Sequence, residues 1–213
     1  MIEELAKAFE DVELVDRIKK RLSYLFQLAE LDSSRAGKVG MEVGSLRERI
    51  IVALLVYKFG DSNVQTELPI TEPEVDVKLF KHPVSIKTIT GKEFSGVKLI
   101  WTVDAQKARE FQENYSPHCD ILLVQINWDG IGGFYYLPLE VQKDAFNKIG
   151  RENYIKLPKA GTNPRGVEIT KEALSMIITN ELSKSIEIYW KKTKIKYNPY
   201  VRWIDYWKKD NIT

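Results

Sequence analysis

The sequence predicts an α/β fold, a mixed β-sheet flanked by helices, and three observations carry that prediction. Apolar residues recur at helical spacing near the start, where Leu14, Ile18, Leu22, Leu25 and Phe26 are separated by charged residues. The period then changes to two: Val75, Val77 and Leu79 alternate with Glu74, Asp76 and Lys78, and a second alternation runs from Val84 to Thr90. Finally, Cys119 to Trp128 is almost continuously apolar, as expected of a strand buried on both faces.

In chain order, residues 3–31 form one or two amphipathic helices. The polar, glycine-rich stretch from Asp32 to Gly44 is a loop. Ser45 caps the next helix, Glu48 three positions on completes a capping box, and the apolar run from Ile50 to Phe59 continues until Gly60 stops it. After a Gly-Asp-Ser-Asn turn, Val75 to Leu79 and Val84 to Thr90 form a hairpin with His82-Pro83 at its turn. Val97 to Val103 is a further strand, and Asp104 caps a polar helix reaching Tyr115. Gly130 to Gly133 turns the chain after the apolar strand, and Phe134 to Leu137 continues as a strand. Helices follow over Leu139 to Ile149 and Thr170 to Trp190, separated by a polar Gly-Thr-Asn-Pro-Arg-Gly loop at 161–166. At 213 residues this reads as one domain, with N-terminal helices over 3–31, a core over 45–137 and a C-terminal helical, aromatic-basic segment over 170–213.

Composition removes several classes. A single cysteine, Cys119, excludes an internal disulfide framework, and with only His82 and His118 beside it there is no structural zinc cage. The longest apolar run, Ile50 to Tyr57, is far short of the roughly 20 residues of a membrane span. The start, Met-Ile-Glu-Glu-Leu, lacks a basic, apolar leader, so a cytoplasmic protein is expected. A net charge of +2 creates no global field for nucleic acid, and any basic surface must be local. The strongest local bias is Lys184 to Thr213, where eight Lys or Arg face three Asp or Glu among seven aromatics. Those aromatics can stack on bases beside Lys191, Lys192, Lys194 and Lys196. Trp203, Tyr206 and Trp207, however, fall at i, i+3 and i+4, which equally fits the buried face of a helix or a dimer contact.

The hairpin carries the candidate chemistry. Asp76 on its first strand and Lys87 on its second can lie side by side, and an exposed cross-strand ion pair is the plain alternative. A carboxylate supplies hard oxygen to a magnesium ion, and a lysine beside it can orient a water for attack on phosphorus. Asp76-Val77-Lys78 also spells an acidic-x-Lys text, but both ends then lie on one strand and no suitably spaced acidic strand residue precedes them.

Asp76, with Ser85-Ile86-Lys87 on the following strand, resembles the PD-(D/E)XK nuclease superfamily, in which an Asp and a (D/E)-x-K stand on adjacent strands. The pattern departs in two places: no Pro precedes Asp76, and Ser85 occupies the position of the second carboxylate. The resemblance implies that the missing charge comes from the helix before the hairpin, where Glu48 stands, and that the Ile86 carbonyl lies near the metal. A capping role is the competing reading for Glu48. Through most of the chain, and most tellingly in Gly40-Met-Glu-Val-Gly-Ser-Leu-Arg-Glu-Arg-Ile50 and Glu74-Val-Asp-Val-Lys-Leu-Phe80 with Val84-Ser-Ile-Lys-Thr88, the sequence is similar to small type II restriction endonucleases of the ThaI type. That similarity implies a restriction-endonuclease-like fold and a homodimer that uses Mg2+ to cut double-stranded DNA at a palindromic CGCG site, leaving blunt ends. It also implies a cognate DNA methyltransferase in the same system, without a stable complex. A junction or repair nuclease of the same fold and a non-catalytic DNA-binding protein are the alternatives.

Candidate DNA contacts follow. Met41, in the polar loop before the helix, can wedge between base steps from the minor groove or simply staple the start of the helix. Lys38, Arg35, Arg47 and Arg49 around it can hold phosphates or be solvated surface. Ser85, also counted among the DNA contacts, can hold a metal-bound water. Asn163, Arg165 and Thr162 carry groups that read base edges, Arg pairing with guanine, though turn residues facing water share this pattern. His82 and His118 receive no role.

Overall fold

The computed structural model describes residues 1–35, 38–40, 42–69, 74–158 and 166–209. In chain order the elements are α1 (Glu3–Ala8), α2 (Val12–Asp32), β1 (Ser34–Arg35), β2 (Lys38–Val39), α3 (Val43–Phe59), β3 (Val64–Gln65), β4 (Val77–Leu79), β5 (His82–Thr90), β6 (Lys98–Ile100), α4 (Ala105–Asn114), β7 (Asp120–Ile126), β8 (Gly130–Leu137), α5 (Leu139–Ile149), α6 (Arg151–Tyr154), β9 (Ile155–Lys156), β10 (Val167–Ile169), α7 (Lys171–Ile178), β11 (Lys184–Trp190) and α8 (Val201–Trp207). Among the described residues, a six-stranded sheet has the order β11-β8-β7-β5-β4-β3, and β6-β10-β9 form a smaller sheet. The large sheet is mixed because β5 and β7 run parallel, Val84 against Asp120 through Thr90 against Ile126, while its other pairs are antiparallel.

The near-continuous apolar run becomes β7, whose seven residues are all buried. Its side chains divide by the period of two. Leu122, Val124 and Ile126 enter a core with α1, α2 and α3, whereas Ile121 and Leu123 enter a second core with α4 to α7 and the small sheet. Packing on both faces removes water from the middle of the sheet, and the β4–β5 hairpin is held at its side. None of the described helices is long and apolar enough to cross a membrane.

Three expected elements take a different form. Thr170 to Trp190 is not one helix: α7 ends at Ile178 and β11 begins at Lys184. Ile186, Ile188 and Trp190 point inward and Glu187 and Tyr189 outward, so a two-residue alternation prevails over the helical reading. Gly130 to Gly133 does not turn but opens β8. There Gly132 makes room for Trp190, whose Nε1 would lie 2.7 Å from a Cβ at that position. The hairpin turn is Phe80-Lys81, both in the left-handed region at φ 49° and 68°, rather than His82-Pro83, which lie in β5.

The C-terminal helix α8 is exposed along its whole length, with Trp203, Tyr206 and Trp207 at 55%, 50% and 90%. They are not core residues of this chain.

Candidate active site

The site forms where β5 outruns its neighbour. β4 pairs only with His82, Pro83 and Val84, so among the described residues no strand covers the outer edge of β5 from Ser85 onward. Asp76, just ahead of β4, closes that edge. Its backbone N–H donates to the Val84 carbonyl at 3.0 Å, and its Oδ2 accepts the Ile86 N–H at 2.6 Å and the Ser85 hydroxyl at 3.2 Å. A carboxylate thus takes the place of the missing ladder acceptor, and the backbone holds it in place. Lys87 brings Nζ to 3.7 Å from the same oxygen.

Glu48 arrives from α3. The helix begins at Val43 with Glu42 as its N-cap and no side-chain cap bond, so the expected Ser45 capping box is absent and Glu48 lines the cleft instead. Its carboxyl hydrogen-bonds Asp76. Burial, reinforced by that neighbouring carboxylate, raises Glu48 to about 8 against the opposing pull of Lys87 and Arg49.

A third acid, Glu74, has no counterpart among the expected site residues. It is buried, its Oε2 lies 3.2 Å from His118 Nδ1, and Tyr115 hydrogen-bonds it. Burial pushes it up to about 7 even though His118 and Lys87 both favour its charged form. Residues 74 and 118 stand far apart in the sequence, and only the fold shows that they meet.

These shifts predict a pH dependence. Both folded-state values lie above that of an ordinary glutamate, so between about 4.5 and about 8 these two groups hold more protons in the folded protein than in the unfolded chain. In that window stability without metal falls as pH rises. Thermal unfolding in chelator should therefore give a lower midpoint at pH 8.5 than at pH 6, and Glu48→Gln should shrink the difference. A midpoint that rises across the window contradicts the arrangement.

Glu48, Asp76, Ile86 and Lys87 line one cleft of about 820 Å³, whose far wall is β6 and the start of α4. Two expected DNA contacts lie elsewhere. Arg47 is buried, its guanidinium 2.6 Å from Glu30 and stacked near the Phe26 ring, so it braces α3 on α2 instead of meeting phosphate. Ser85 is also buried, its hydroxyl committed to Asp76, and has no surface for DNA. Lys38 is exposed on β2. Met41, Thr162, Asn163 and Arg165 lie outside the described residues. Asp104 caps α4 as expected, and Asp120 at the start of β7 accepts the Leu139 N–H that opens α5.

With the fold and this convergence in view, comparison with known proteins adds the family. The profile of restriction endonuclease ThaI matches residues 8–209. The chain belongs to the ThaI restriction endonuclease family. Members are type II site-specific DNA nucleases, and a solved structure described as a restriction endonuclease in complex with substrate DNA is similar to this one. It shares 64% sequence identity at a TM-score of 0.90, over 95% of this chain and 98% of that one. No curated protein matches.

Restriction endonucleases generally use divalent metal ions, and the donors of this ThaI-family chain suit a hard cation. Among the described residues no group of three His, Cys, Asp or Glu could enclose a metal. What is present is Glu48 facing Asp76 in the cleft, two carboxyl groups that a divalent cation would hold together. Magnesium is commonly bound by one or two carboxylates while keeping several waters.

Proposed function

We propose that this chain is a magnesium-dependent endonuclease that cuts both strands of DNA at a short palindrome, with CGCG cut to blunt ends as the target, and that it acts as a homodimer. The observation that carries the reading is the meeting of Glu48, Asp76 and Lys87, from a helix and two strand segments, in one cleft. The DNA bound by the 64% identical neighbour supports DNA as the partner.

Asp76 and Glu48 would hold the cation. In an extended strand the N–H and C=O of one residue point to the same edge, so the Ile86 carbonyl, like its N–H, faces Asp76. Magnesium bound there would polarise the phosphoryl oxygen and offset charge on the leaving oxygen. Lys87 orients the attacking water and stabilises charge growing on phosphorus. Cleavage of the P–O3′ bond leaves a 5′-phosphate and a 3′-hydroxyl. Ser85, which replaces a carboxylate of the superfamily pattern, keeps Asp76 oriented but adds no charge, so Glu48 carries the second negative charge.

A two-fold target calls for two copies of the site, one for each strand. The exposed aromatic helix α8 supports an interface, since large apolar groups clustered on a surface mark contact sites.

Plasmid DNA incubated with the protein and magnesium should give discrete fragments, and none in chelator. A smear would indicate a nonspecific nuclease, and intact DNA that is nevertheless bound would indicate a binder; either result rejects the proposal. Glu48→Gln keeps the shape of the protonated acid but removes the second negative charge. It should cut at least about 10²-fold more slowly, and full activity would return Glu48 to a structural role.

A further inference from the structure

The cleft wall opposite the catalytic trio carries an exposed aromatic that no motif singled out. Trp101, just beyond β6, is 63% exposed and lines the cleft, with Lys98 Nζ 3.8 Å from its ring centroid. Lys107, in the first turn of α4, lines the same wall. The α4 amides are not open to an anion, because the Asp104 carboxylate already accepts from the Gln106 and Lys107 N–H groups. What this wall offers is a flat ring, a cation seated on that ring, and a second lysine.

We infer that Trp101, Lys98 and Lys107 form a DNA-binding wall, with the indole packing on a sugar or base of the strand crossing the cleft and the two lysines meeting its phosphates. The inference rests on the endonuclease reading and specifies what faces the catalytic centre. A tryptophan this exposed loses apolar surface to water, which burial against a nucleotide recovers, and aromatic stacking tolerates any base. Lysines on a cleft wall suit a polyanion, and the ring that seats Lys98 restricts where its charge can go.

The test is DNA affinity in calcium across a salt series, using a duplex containing CGCG. Trp101→Ala should weaken binding by about 5- to 100-fold with little change in the salt slope. Lys98→Gln and Lys107→Gln should each flatten that slope by about 0.9, the release expected for one phosphate contact. Trp101→Ala and Lys107→Gln should melt at the temperature of the parent. Affinities within twofold of the parent and unchanged slopes, from a parent that binds and cuts, overturn the wall alone. Loss of the dimer on sedimentation of Trp101→Ala also overturns it, by assigning the ring to a protein contact. A parent that neither binds nor cuts overturns the endonuclease reading and the wall together.

Discussion

Lys87→Ala should lower the rate of DNA cleavage by about 10³-fold or more while leaving DNA affinity in calcium within a few-fold of the parent. The ammonium lies 3.7 Å from Asp76 Oδ2 and favours the charged form of Glu48. Its loss would remove the group proposed to orient the water and would raise the cost of ionising Glu48. Asp76→Asn should lose as much. The amide can still accept the Ile86 N–H through its oxygen, so the fold is kept, but the charge proposed to bind a cation is gone. The two variants should differ in metal response: raising magnesium should recover part of the activity of Lys87→Ala and little of Asp76→Asn. Single-turnover cleavage of a labelled duplex measures all of this, and undiminished cutting by either variant removes that residue from the chemistry.

The largest effect on stability should come from Glu30→Ala. Glu30 and Arg47 are buried, 2.6 Å apart, and join α2 to the helix that carries Glu48. Burial holds Arg47 below its ordinary range, and Glu30 provides the compensating charge. Removing Glu30 leaves a buried guanidinium with a 3.5 Å bond to the Thr90 hydroxyl and the Phe26 ring, a loss of about 3–5 kcal/mol. Arg47→Ala should cost less, because Glu30 keeps the Trp128 indole N–H at 2.8 Å and Lys192 at 3.7 Å. Replacing both partners together, Glu30→Met with Arg47→Met, should approach neutrality, since no buried charge is left without its partner and the space is filled. Urea unfolding ranks the three, and equal costs for Glu30→Ala and Arg47→Ala would contradict this asymmetry.

Two kinds of sequence signal were legible at the site. Alternation around Asp76 and from Val84 to Thr90 placed a carboxylate and a lysine on neighbouring strand segments, and the helix before them was clear from the run that Gly60 ends. Local spacing failed where one pattern fitted two structures. Ser45 and Glu48 satisfied a capping box, yet the helix starts earlier and leaves Glu48 to the cleft. Arg47 looked like a surface cation because charge alone does not report burial. Glu74 and His118, or Trp101 and Lys107, carry no spacing that links them.

Glu48 became a candidate only through the family resemblance, whereas the mixed α/β class, the two-sided burial of β7 and the hairpin with Asp76 and Lys87 were determined by the sequence itself. Those features depend on neighbours within a few residues, where side-chain period and backbone geometry are coupled. Tertiary structure alone decided that β11 joins the large sheet, that Arg47 is sealed against Glu30, and that three acids meet around one lysine. Each of these is a contact between distant segments, and its energy depends on which surfaces lose water together when the chain closes.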